Sequence, residues 1–120
     1  MSTDARFYSI IDYTVDGPQT QRELVEAFAD IQERRVRFYP GYRSARFLAS
    51  TDGKRVYNIV AWESEAAWRH FDQTDDLGQR EADIEAALDG LSGTAEARMS
   101  GAPRYVLMRE VTATPKPGSG

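Results

Sequence analysis

A chain of 120 residues with 41% hydrophobic and 28% charged positions has the size and balance of a single folded domain and excludes a disordered chain. Its formal net charge of −4 opposes binding to nucleic acid or to an anionic membrane. The absence of Cys excludes disulfides, thiolate metal sites and cysteine nucleophiles, and a single His excludes a polyhistidine metal site within one subunit.

Residues 1–5 read as a flexible N-terminus. Met1 to Arg6 lacks the basic stretch and apolar run of a signal peptide, and no window approaches the ~20 apolar residues of a membrane span, so a cytoplasmic protein is expected. Phe7 to Thr14 is β-branched and aromatic and predicts a strand. Asp16-Gly17-Pro18-Gln19 predicts a helix start, with Asp16 as cap, Pro18 in the first turn and Gln19 completing a capping box. Leu24, Phe28, Ile31 and Arg35 share one stripe of that helix, which Pro40-Gly41 stops. Tyr42 to Ser50 and Lys54 to Trp62 predict two strands joined by a Thr51-Asp52-Gly53 turn. Ser64 opens a short helix with Trp68 and Phe71 on one side, and 75–91 is further helix ended by Gly90 and Gly93. Tyr105 to Val111 is the last strand. The folded domain spans 6–112, and 113–120 is a flexible Pro/Gly-rich tail.

The order β-α-β-β-α-β is that of a ferredoxin-like α+β fold, an antiparallel sheet with helices on one face. Both faces of the predicted sheet are apolar. Val56, Val60 and Trp62 alternate with Tyr57, Ile59 and Ala61 in the third strand, and Leu48 lies opposite Ala45 and Phe47 in the second. A sheet covered by its own helices on one side needs a second cover for the other, which points to a homodimer packed sheet on sheet.

Asn58 is the only Asn of the chain and stands mid-strand, where Asn is disfavoured. Period two places it on the face of Val56, Val60 and Trp62. Such a carboxamide either bonds nearby backbone or faces a ligand oxygen inside a pocket, because leaving it unbonded costs roughly 1–3 kcal/mol. Trp62 brings an indole N–H donor to the same face. Tyr8, Tyr13, Phe47 and Met108 line a pocket or fill the core. His70 lies off the line of Trp68 and Phe71 and faces solvent. Glu33-Arg34-Arg35-Val36-Arg37 reads as a solvated helix end whose cations offset the dipole. Asp72, Asp75 and Asp76 lie near a helix start without a second ligand cluster, and no metal site is predicted.

Ser50 to Trp68 (STDGKRVYNIVAWESEAAW), with Pro40 to Ala45 (PGYRSA) and Val15 to Glu26 (VDGPQTQRELVE), resembles the antibiotic biosynthesis monooxygenase family. Within it the likeness is to small cofactor-independent oxygenases that turn anthrone- or phenol-type aromatic polyketides into quinones, and it runs from about Phe7 to Val111. The resemblance implies a dimeric α+β barrel, one site per subunit, O₂ as co-substrate, and no cofactor or metal. Asn58 and Trp62 fall on the family's catalytic Asn and Trp, which hydrogen-bond substrate carbonyl and peroxide oxygens. Trp68 falls where these relatives carry a pocket Tyr, so the ring is kept and a phenolic O–H is lost. Arg80 is the candidate for the family's pocket Arg, and Phe47 and Met108 are added as substrate-binding candidates. Haem-degrading relatives of the fold use an Asn on the first strand, and Phe7 to Thr14 has none. The expected partners are a small aromatic substrate and a second copy of the chain. The alternatives are an oxygenase of the same fold using diffusible reduced flavin, and a non-catalytic module that binds a polyketide or assists its cyclisation.

Overall fold

The computed structural model of the chain describes residues 6–97 and 104–116. The expected N-terminal segment 1–5 and the last four residues of the tail lie outside this set. The elements run β1 (Phe7–Val15), α1 (Pro18–Arg34), β2 (Tyr42–Ala49), β3 (Arg55–Trp62), α2 (Glu65–Thr74), α3 (Leu77–Asp89), β4 (Ala95–Ala97) and β5 (Arg104–Val106), with a single 3-10 turn at Val36–Phe38 after α1. The strands form one antiparallel sheet in the order β2-β3-β1-β4, and β5 also pairs β1. This is the ferredoxin-like α+β fold expected from the order of elements.

Two departures bear on the site. The single last strand expected at 105–111 is instead two short pieces sharing one edge of β1: Ala95–Ala97 lies against Tyr13–Val15, and Arg104–Val106 against Phe7–Ser9. Ala-Glu-Ala carries no β-branched or aromatic signal, which is why β4 was not expected. The second departure is at α1, which ends at Arg34 rather than at Pro40-Gly41. Arg35 leaves the helical conformation (φ −135°, ψ −52°), and its side chain is held by Asp75, between α2 and α3, and by Asp83 on α3.

The start of α1 also differs from the expected capping box. Gly17 is the N-cap and supplies no side-chain bond. Asp16 accepts instead from the Thr94 backbone N–H at 3.1 Å, and Gln19 donates to Glu23. Gln21 takes over the anchoring of this end: buried, it donates to the carbonyls of Ser50 and Arg55 at 3.0 and 2.9 Å, tying α1 to the β2–β3 hairpin. The turn of that hairpin carries Gly53 at φ +78°, where a Cβ would meet the Pro18 ring at 2.7 Å. Ser64 caps α2 through the Ala67 N–H, and Asp76 caps α3 through the Gln79 N–H.

The core lies between the helices and the inner face of the sheet, around Phe7, Leu24, Phe28, Val56 and Trp62. The outer face leaves Leu48, Tyr57 and Tyr105 exposed. Gly41, at φ +83°, brings the start of β2 against α2: a Cβ there would lie 2.4 Å from that of Ala67. Among the described residues no helix is long and apolar enough to cross a membrane.

Candidate active site

The inner face and the helices enclose a cavity of about 240 Å³. Its floor is built from alternate residues of two paired strands: Ser9, Ile11 and Tyr13 on β1, and Asn58, Val60 and Trp62 on β3. The register pairs Ser9 with Val60 and Ile11 with Asn58, so period two delivers all six side chains to the same face. Opposite stand Phe28 and Ile31 of α1, Trp68 and Phe71 of α2, and Arg80 of α3. Arg35 and Arg104 complete the wall from the end of α1 and from β5.

Asn58 is 5% exposed and its Oδ1 is buried without a hydrogen-bond partner. The backbone bond open to it as an alternative is therefore not made by that atom. Trp62 is 1% exposed and its ring is fixed on both sides, edge-on to Tyr42 at 5.4 Å and stacked on Phe71 at 5.1 Å. Tyr42 is itself held by a 2.9 Å bond from its hydroxyl to Gln32. Burial pushes the Tyr13 phenol up to about 12, so this hydroxyl stays protonated at neutral pH.

The helix side is charged, and one carboxylate organises it. The Asp75 side chain is 1% exposed and accepts from Arg35 Nη1, from Arg80 Nε at 3.1 Å and from the Tyr39 hydroxyl at 2.9 Å. Arg35 also donates to Asp83 at 2.9 Å, and Arg80 donates to Asp72 at 3.2 Å while lying 4.8 Å over the Phe71 ring. Burial pushes the Asp83 carboxyl up, but bonds from Gln79 and Arg35 outweigh it and hold the group below its usual range. The guanidinium of Arg104 lies 4.4 Å over Trp68, whose other neighbour is Phe7 at 5.6 Å.

Of the residues singled out in the sequence, Asn58, Trp62, Trp68 and Arg80 meet at this cavity. Phe47 and Met108 do not line it. Phe47 pairs opposite Asn58 and so shares its face, but β2 is one strand too far from the cavity, and Phe47 packs against the core instead. Met108 lies past the end of β5, with no strand to orient it, and is 87% exposed. His70 is exposed on α2.

Arg35 corrects the reading of residues 33–37 as a solvated helix end, because it and Val36 turn inward. Its place on the apolar stripe of Leu24, Phe28 and Ile31 was the signal available for this. The aspartates 72, 75 and 76 are accounted for by the two arginines and the α3 cap. Among the described residues no cluster of His, Cys, Asp or Glu could hold a metal ion. Arg104 had no signal, since its role depends on pairing with Ser9 across the sheet edge.

The model of the antibiotic biosynthesis monooxygenase family matches residues 6–83 of this chain. The chain belongs to that family. It is 33% identical over 69 residues to the tetracenomycin-F1 monooxygenase of Streptomyces glaucescens, a stretch covering 58% of this chain and 62% of that enzyme. The crystal structure of the ActVA-Orf6 monooxygenase of Streptomyces coelicolor with nanaomycin D is 34% identical, superposes with a TM-score of 0.62, and covers 93% of this chain and 94% of that one. SnoaB, a cofactor-independent oxygenase of Streptomyces nogalater, shares the fold at 22% identity and a TM-score of 0.56, covering 92% of this chain and 97% of its own. The matched span contains Asn58, Trp62, Trp68 and Arg80, and ends before Arg104.

Proposed function

We propose that the protein is a cofactor-independent monooxygenase that oxidises a polycyclic phenolic, anthrone-type polyketide to a quinone with O₂. The observation that carries this reading is Asn58, a buried carboxamide with an unbonded oxygen in the floor of an aromatic cavity, in a chain of this family. A carboxamide holds an N–H₂ donor beside its acceptor, and with the oxygen unbonded nothing fixes which end meets a ligand. Trp62, clamped between Tyr42 and Phe71, brings the second donor to the same floor.

The substrate loses a proton from its methylene carbon, and the delocalised carbanion passes one electron to O₂. The two radicals combine through a new C–O bond, and the peroxide takes up a proton. Loss of the second methylene proton with cleavage of the O–O bond leaves a carbonyl and releases water. One oxygen atom enters the quinone and the other leaves as water, so no external reductant is consumed. The protein's share is to hold the ring system flat and to direct N–H donors at the oxygens where charge develops. In the same reading the working unit is a homodimer closed over the exposed Leu48, Tyr57 and Tyr105 of the outer face.

Incubating the purified protein with dithranol in air, while following O₂ uptake and quinone absorbance, tests the reaction. Turnover without additives is the expected result. Turnover only with added reduced flavin, or binding without turnover, overturns it. Sedimentation velocity tests the assembly, with a 120-residue monomer as the contrary outcome.

A further inference from the structure

We propose that the cavity takes an aromatic substrate bearing one carboxylate, and that Arg104 is the residue that selects it. The inference deepens the oxygenase reading and rests on it for the aromatic ring system. The starting point is an imbalance of hydrogen bonds: Arg35 Nη2, Arg80 Nη2 and Arg104 Nε are all buried without a partner, on three residues lining one cavity. Buried guanidinium N–H groups are costly unless bonded, so three around one space mark a ligand rich in acceptor oxygens.

Arg104 differs from the other two. Arg35 and Arg80 are tied to Asp75, Asp83 and Asp72, and their charges are met. Arg104 forms no ion pair among the described residues, and it is held over the Trp68 face instead. Its burial pushes its pKa down, the mark of a cation with too little compensation, while Asp72 and Arg80 act on it in opposite directions. Trp presents the strongest aromatic face to a cation, so Trp68 orients this guanidinium without neutralising it. A planar two-oxygen anion matches the guanidinium fork. Asp72, bonded to Arg80, also lines the cavity, and its repulsion scales with ligand charge, which favours a singly charged carboxylate over a phosphate dianion.

Because Arg104 satisfies no acid, its removal orphans none, and Arg104→Gln is expected to fold. Titrating the full chain with anthraquinone-2-carboxylate and with anthraquinone-2-carboxamide, read by quenching of its two tryptophans, tests the inference. The acid is expected to bind at least about tenfold more tightly than the amide, with a preference that falls as salt rises. Arg104→Gln is expected to remove that preference, weakening the acid at least about tenfold and the amide far less, and Arg104→Lys to keep part of it. Equal binding of both ligands, binding of neither, or equal weakening of both by Arg104→Gln overturns the inference. The last of these is what a merely structural Arg–Trp stack predicts. Dithranol turnover by the same preparation keeps the two readings apart. Turnover without acid preference sinks this inference alone, and acid preference without turnover sinks the oxygenase reading alone.

Discussion

The two sides of the cavity are built on different principles. The floor is uncharged and set by strand alternation: three side chains from each of two paired strands, one of them an Asn whose oxygen has no partner. The helix side is polar and assembled at long range, with Arg35 and Arg80 drawn from separate helical segments onto one buried carboxylate. A rigid strand pair suits a task that needs exact placement of a few donors, since neighbouring strands fix each other's side chains. A cluster of guanidiniums on one acid suits recognition, because each keeps N–H groups to spare. In the proposed reading the floor serves the reaction and the charged side serves binding.

Breaking the charged side at its centre should have the largest effect. Asp75→Asn removes the charge from a group that holds two guanidiniums, and should lower unfolding free energy by about 3–5 kcal/mol in urea denaturation. A loss well below 1 kcal/mol would mean that the helix side does not depend on that anchor. Asn58→Ala attacks the floor alone. It should reduce kcat for dithranol by roughly 10²-fold, the scale of one lost oxyanion donor, while carboxylate affinity changes little. Trp62→Phe keeps the stack on Phe71 but deletes the indole N–H, and a fall in kcat of about tenfold is expected. If either floor variant changed only KM, the division between reaction and binding would fail.

The smallest effect concerns pH. Asp83 has a folded pKa held below the ordinary 3.8, so its contribution to stability is present above that value and is lost as pH falls through the folded one. The Tm of Asp83→Asn should therefore lie below that of the unmodified protein at pH 7. The gap should close as pH drops beneath 3.8. A gap that widened on acidification would contradict the sign.

This division also explains what could be read before the fold was known. Period two placed Asn58 and Trp62 on one face, and the oddity of a mid-strand Asn singled out the first of them. The same rule put Phe47 on the correct face but could not say that β2 lies a strand away from the cavity. The α2 cap at Ser64 and the hairpin turn at Gly53 rest on two or three adjacent residues, and both were legible. Arg35, Asp75 and Arg104 were not read as site residues, because each is defined by partners far along the chain. Asp75 meets Arg35 across 40 positions, and Arg104 meets Trp68 only after β5 has found the edge of β1. Short-range pattern cannot see such pairings, and β4, with its Ala-Glu-Ala sequence, had no pattern to see.

The contact at Gly41 has a consequence for how this site can diversify. The helix that carries Trp68 and Phe71 rests against bare backbone there, and the Glu63 N–H donates to the Gly41 carbonyl at 2.8 Å beside it. The spacing between α2 and the sheet is thus already at its minimum. A side chain at position 41 would press on Ala67, in the helix that carries both aromatic rings, and would strain a backbone held at φ +83°. The placement of Trp68 and Phe71 thus depends on a residue that does not itself line the cavity.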